Sequence, residues 1–382
     1  MICYSPIALL LLVAGCGQGQ ESLPGAITGT TWAYVATGRG IHQLELDNAT
    51  GAVKASRSTG EPVNTNFLAV HPTGRYVYAV GDAAGAEARR GGAVHAFRVN
   101  GRTGELIALN HQSSGGAGPA YLTVEAAGKH VLVANYVGGS VAALPIEPDG
   151  WLAPASGFVQ HTGSSVDPGR QAAPHAHSVS VDSAGRFAFV ADLGLDKVLV
   201  YRFGDGKLMP NDPPAIAVSP GSGPRHFAVH PLERYAYVMN EMSVTVTAFS
   251  QDPVKGVLKE IQTLSALPSG QAAQPGNSGA ELQVHPSGKF LYGSIRGHDS
   301  IVVFSIDPGS GKLTQVEHQP VRGRIPRNFG IEPSGRYLLV ANQGSGSVVV
   351  FRIDQRSGRL AYTGQTVEVP APMCVRFVRA GN

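Results

Sequence analysis

The chain has 382 residues, 49 of them glycine and 26 proline, and 43% are hydrophobic, a balance that suits a turn-rich all-β protein with packed sheets. A formal net charge of +3 is too small to indicate nucleic acid or an anionic membrane surface as a partner. No run of 18 apolar residues is present to make a transmembrane helix.

The chain starts with an apolar stretch, Ile7 to Ala14, followed by Gly15-Cys16 and the polar run Gly17 to Gln20. This start resembles a bacterial lipoprotein signal with Val13-Ala14-Gly15-Cys16 as its lipobox. The resemblance implies that residues 1–15 are removed with Cys3, that Cys16 carries lipid, and that residues 16–30 form a linker. The protein would then be exported to the periplasmic side, touching the membrane only through Cys16. Cys374 would be its only free thiol, so neither a disulfide nor a cysteine metal site is expected. The alternative is a fortuitously apolar start on a cytoplasmic chain.

From Trp32 onward the sequence repeats. Seven hairpin signals run from Asp47-x-x-x-Gly51-x-Val53 to Asp354-x-x-x-Gly358-x-Leu360, each between alternating apolar runs. Six turn signals of the type Val70-His71-Pro72-Thr73-Gly74-Arg75-Tyr76 are anchored at positions 74, 128, 185, 233, 288 and 335. Repeats of this length, each reading as four short strands, predict the blades of a β-propeller. Trp32 to Asp47 matches the part of a repeat after the anchor, and Met373 to Val378 the part before it. Residues 31–382 are therefore expected to form one seven-bladed propeller of four-stranded antiparallel blades, closed by the C-terminal strand.

Aligning the repeats predicts what crowds one mouth of the channel. Antiparallel pairing puts the start of each blade's first strand beside the end of its second. The first column reads Asn66, Ala120, His177, Arg225, Ala280, Arg327 and Met373; the second reads Gly38, Asp82, Tyr136, Leu193, Glu241, Arg296 and Gln343. His177, Arg225, Glu241, Arg296 and Arg327 should thus meet, although they are far apart in sequence. Arginine forks suit carboxylate or phosphate, so a small anionic ligand is expected. Asn135, Asn240 and Asn342, in the adjacent column with Asp192, read as turn caps. His71, His230 and His285 read as structural.

Other chemistries lack their motifs. There is no G-x-S-x-G elbow and no Walker A loop. His175 and His177 alternate along a strand, so they should face opposite ways, and no metal site is expected.

The segments Arg170-Gln171-x-x-Pro174-His175-x-His177-Ser178, Gly223-Pro224-Arg225-His226, Asn240-Glu241, Arg296-Gly297-His298-Asp299-Ser300-Ile301 and Arg327-Asn328-Phe329 carry a resemblance. So do Val190-Ala191-Asp192-Leu193-Gly194 and Ala341-Asn342-Gln343. Together they resemble the lactonase family of seven-bladed propellers, which includes 6-phosphogluconolactonases and carboxymuconate-cyclising enzymes. The resemblance implies a cofactor-free lactone hydrolase acting on a sugar-acid-type lactone, with His177, Arg225, Glu241 and Arg296 catalytic. His175, Asp192, Arg327, Asn328 and Gln343 would contact substrate. The alternatives are a lactonising cycloisomerase and a non-catalytic, lipid-anchored binding propeller.

Overall fold

The computed structural model describes Met1 and residues 29–60, 64–82 and 91–381. Cys16 and the apolar start lie outside the described residues. Among the described residues, twenty-eight strands, β1–β28, form seven four-stranded antiparallel sheets. Each sheet is one repeat: β4–β7 cover residues 65–113, β8–β11 residues 119–160, and β12–β15 residues 176–217. The next three are β16–β19 over residues 224–265, β20–β23 over 278–320 and β24–β27 over 326–368. The seventh joins the two ends of the chain. β1 (Thr30–Thr37), β2 (Gly40–Asp47) and β3 (Val53–Thr59) pair in order, and β28 (Pro372–Arg379) adds the inner strand beside β1. The inner strands β28, β4, β8, β12, β16, β20 and β24 touch in sequence around a closed ring.

The core lies between blades, because both faces of each sheet are covered. Phe97, Phe189, Phe249, Phe304 and Phe351 are fully buried on the third or second strands. Polar latches at fixed repeat positions join the blades. Tyr34, Tyr78, Tyr237 and Tyr292 donate their hydroxyls to the carbonyls of Gly104, Gly150, Gly311 and Gly358 in the next blade. Nε2 of His71, His230 and His285 reaches the carbonyls of Gly128, Gly288 and Gly335 at 3.0, 2.9 and 2.8 Å. A carbonyl can only accept, so these histidines donate from Nε2 and are structural. Where the turn has a carboxylate instead, as at Glu125, Asp182 and Glu332, it accepts from the amides of its own turn.

Each inner strand carries a bulge near its start, and this aims the site. The ladder skips one residue in six blades: Asn66, Ala120, His177, Arg225, Arg327 and Met373. In β20 it skips Ala280 and Glu281. An unpaired extra residue bends the strand and redirects its side chain. The first aligned column is therefore the column of bulged residues. His175 precedes β12 (Ala176–Val181), so the simple alternation expected for His175 and His177 does not apply.

Candidate active site

One mouth of the channel holds a cleft of ≈ 330 Å³ lined by Asn66, Tyr136, Arg170, His177, Arg225, Glu241, Arg296 and Arg327. His177, Arg225 and Arg327 come from the bulges of β12, β16 (Pro224–Val229) and β24 (Pro326–Ile331). Arg296 ends β21 (Phe290–Arg296). Glu241 follows β17 (Tyr235–Asn240), and its backbone is fixed by hydrogen bonds from its amide to Gly223 O and from the Gly279 amide to its carbonyl.

Glu241 is the hub. Arg225 Nε lies 2.9 Å and Arg296 Nη2 3.0 Å from its Oε2, and Arg170 Nη2 donates to its Oε1 at 2.7 Å. His177 Nε2 is 4.0 Å from Oε2. Burial alone would push the Glu241 pKa up, but Arg225 and Arg296, with His177 and the Arg170 hydrogen bond, outweigh it. They hold the carboxyl well below the usual carboxylate range.

Burial, reinforced by Arg225 and His226, holds His177 well below the ordinary histidine value, so its imidazole is neutral at neutral pH. Burial and then Arg296 push Arg225 down to about 9, which still leaves it charged at neutral pH. Burial and then Arg296 also lower Arg327. Among the described residues, no carboxylate lies within ion-pair distance of Arg327.

Three buried polar atoms of the cleft have no protein hydrogen bond: His177 Nδ1, Arg225 Nε and Arg296 Nε. The Arg225 Nε contact with Glu241 is close but not aligned as a hydrogen bond. Buried polar atoms are normally satisfied, so these three and the Arg327 guanidinium give the cleft hydrogen-bonding capacity and positive charge that its own side chains do not use up.

The aligned columns thus bring together His177, Arg225, Glu241, Arg296 and Arg327. Arg225 is only 2% exposed, which differs from a residue at an open, wet mouth, because the bulge turns it inward. Four further residues fall elsewhere. Asp192 is fully buried, holding His161 Nδ1 at 2.6 Å and accepting from the amides of His175 and Gly194. His175 stacks on Tyr136 and bonds its carbonyl through Nδ1 at 2.9 Å. Asn328 is buried below the cleft, bonded to Glu281 and to the Val375 amide. Gln343 is half-buried outside the cleft lining, its amide donating to Ile325 O. Asn135, Asn240 and Asn342 donate to Ser114 O, the hydroxyls of Thr245 and Thr247, and Val321 O, while their Oδ1 atoms accept no bond, so they bridge neighbouring segments and do not cap their own turns as expected.

Residues without a role in the sequence reading also join the site. Arg170 sits on the 161–175 loop, where Asp167 accepts from its amide, and its guanidinium also reaches the Tyr136 hydroxyl at 3.3 Å. Below the cleft, the column after the bulges reads Phe67, Tyr121, Ser178, His226, Glu281, Asn328 and Cys374. Its polar members were visible in the alignment as a second ring. Among the described residues no group of three His, Cys, Asp or Glu side chains could hold a metal ion.

The comparisons with known proteins agree with this architecture. The family model for the seven-bladed β-propeller lactonase matches residues 25–377. The 6-phosphogluconolactonase of Bacillus subtilis strain 168 is 35% identical over 339 residues, covering 89% of this chain and 94% of that protein. A 6-phosphogluconolactonase of Formosa agariphila is 34% identical over 299 residues, covering 77% of this chain and 82% of its own. The solved structure of a periplasmic gluconolactonase of Pseudomonas aeruginosa superposes with a TM-score of 0.84 at 34% identity, covering 92% of this chain and all of that one. The chain belongs to the lactonase family of seven-bladed β-propellers.

Proposed function

We propose that this protein hydrolyses a lactone that carries an acidic group, with chemistry confined to the Glu241 cleft. The observation that carries this reading is the set of unsatisfied atoms beside neutral His177: buried N–H donors on Arg225 and Arg296, and an Arg327 guanidinium that no carboxylate among the described residues pairs. Relatives named 6-phosphogluconolactonase and gluconolactonase supply the reaction class.

His177 is the general base. Glu241 is held so far toward its ionised form by the arginines that it takes a proton poorly; it serves as clamp and orienter. His177 accepts a proton from water as the water oxygen adds to the lactone carbonyl. Arg225 and Arg296 offset the charge developing on the carbonyl oxygen. When the ring C–O bond breaks, the leaving oxygen takes the proton back from His177. Arg327 holds the substrate's acidic group, because Arg225 and Arg296 already share Glu241.

Acid release from a panel of sugar-acid lactones, with and without a phosphate, tests this. Turnover of an acidic lactone by the wild type and loss of it in His177→Ala are expected. A wild type that hydrolyses none of them refutes the reading, and turnover of an unsaturated dicarboxylate instead would point to cyclisation.

The Cys16 anchor is part of the same proposal. Thr30 pairs with Asp47 at the end of β1 beside the β2–β3 hairpin, whereas Thr37 pairs with Pro372 at the cleft end. A lipid tether on the N-terminal side would thus hold the face opposite the cleft to the membrane and leave the cleft facing the aqueous space. The periplasmic relative supports an exported site of action. Labelled fatty acid should enter the wild type and not Cys16→Ser; absence of label from both rejects the anchor.

A further inference from the structure

Beneath the cleft lies a buried polar layer. Arg225 Nη1 lies 3.0 Å from His226 Nε2, and His226 Nδ1 lies 3.0 Å from Glu281 Oε1. Arginine can only donate, so Nε2 must accept and the ring proton must sit on Nδ1, facing Glu281. Glu281 Oε1 also accepts from the Leu282 amide at 3.0 Å, and Oε2 accepts from Asn328 Nδ2 with Arg376 Nη2 3.9 Å away. Both oxygens are surrounded by donors, so a proton on this carboxyl would have no acceptor. Arg225, His226 and Glu281 are each 2–3% exposed. The rings of Phe67 and Tyr121 stand edge-on against His226.

We infer that His226 and Glu281 are positioning residues for Arg225. Glu281 fixes the His226 tautomer, and His226 holds one arm of the guanidinium so that its Nε edge stays beside Glu241 and the cleft. The inference rests on the lactonase reading for its kinetic arm only. The choice of a histidine has a physical reason. A second carboxylate placed directly on Arg225 would cancel its charge, and the cleft needs that charge. A neutral imidazole accepts one N–H and passes the carboxylate's influence along at one remove. Neither residue lines the cleft, although the His226 ring stands 5.3 Å from that of His177, so neither is expected to touch substrate.

The test uses the full protein and four variants. His226→Phe keeps a ring between Phe67 and Tyr121 but removes the acceptor; it should lower kcat/KM by roughly 10- to 100-fold, mostly through kcat, because Arg225 would act on charge formed in the transition state. His226→Gln can offer an amide oxygen to Arg225 and should recover most of that loss. In an Arg225→Ala background, His226→Phe should cost less than about twofold, since two residues acting through one group are not additive. A structural role alone would lower the melting temperature, leave Gln no better than Phe, and give additive losses; that outcome overturns the inference. A crystal structure of His226→Phe adds a reading independent of activity. The Arg225 guanidinium should leave Glu241, and a guanidinium that stays in place overturns the inference. If His226→Phe does not fold, Glu281→Gln takes its place in the same measurements. If the wild type hydrolyses no lactone, the proposed function fails, while the position of Arg225 still decides this one.

Discussion

The ring of Tyr337 lies against Gly51, and through this contact the β24–β27 blade grips the split blade that joins the chain's two ends. A Cβ at Gly51 would sit 2.3 Å from Tyr337 Cε1, and the Tyr337 hydroxyl donates to Ala49 O at 3.2 Å across 288 residues of sequence. The same fit recurs around the ring, from Trp32 on Gly104 to Phe290 on Gly358: a ring after one blade's turn covers the hairpin glycine of the next. Gly51 also has φ +74°, a region that strains other residues.

Gly51→Ala should therefore destabilise the protein by about 1–3 kcal/mol, from the positive φ and the overlap with Tyr337 together. Thermal unfolding reads this directly. Lactone turnover at a temperature where the variant is folded should be unchanged, because Gly51 lies on the face opposite the cleft. A variant that melts with the wild type would show that the blades are not locked here.

Deleting Met373 to Asn382 removes most of β28, the strand that pairs with β1 over Thr31 to Thr37. It uncovers an inner edge of unpaired backbone groups and takes Arg376 from the channel layer. Aggregation or loss of cooperative unfolding is expected. A truncated protein that unfolds like the full chain would mean that the split blade does not close the ring.

Blade number, strand order and split closure were legible because turn residues at fixed offsets punctuate every repeat, and Gly51 or Gly311 cannot be replaced without strain. Five site residues were legible because column alignment needs only the pairing of the two strands. What the columns could not show was the bulge. It turns Arg225 inward to 2% exposure and puts Asn328, the residue after the bulged Arg327, under the cleft floor. His175 shares a family segment with His177 and Asp192 stands in another, yet both hold the turn around His177, since strand-end carboxylates are drawn to free amides. Glu281 stands in the same aligned column as His226 and Asn328, but no motif marks it and no other repeat has a carboxylate there. It became meaningful only beside His226, 55 residues away.

Arg327 and Arg296 should separate binding from catalysis. Arg327→Ala removes the guanidinium that no carboxylate among the described residues pairs, so it should raise KM for an acidic lactone by roughly 10- to 100-fold with a smaller change in kcat. The effect should shrink for a lactone without the acidic group. Arg296→Ala removes an interaction that strengthens as charge develops, and it should lower kcat/KM by about 30- to 1000-fold, the ~2–4 kcal/mol span of a lost transition-state donor. Steady-state kinetics on both lactones checks the pair. Equal effects of Arg327→Ala on acidic and neutral lactones would remove its assignment as the anion anchor.

The pH profile distinguishes His177 from Glu241 as the base. A base works in its deprotonated form, so kcat/KM should fall as pH drops through the pKa of that group in the free enzyme. Burial, Arg225 and His226 place His177 below 6.5, so the rate should stay level from neutrality down past the ordinary histidine range and fall only below it. Glu241→Gln removes an acceptor of positive charge and leaves Arg225 and Arg296 uncompensated beside the imidazole. That should depress His177 further, shift the acid limb to lower pH, and lower the plateau because the ring loses its orienter. His177→Ala should abolish the limb together with most of the rate. The measurement is kcat/KM against pH, corrected for spontaneous lactone opening. If the limb disappears in Glu241→Gln and survives in His177→Ala, Glu241 is the base and the roles assigned to the two residues are reversed.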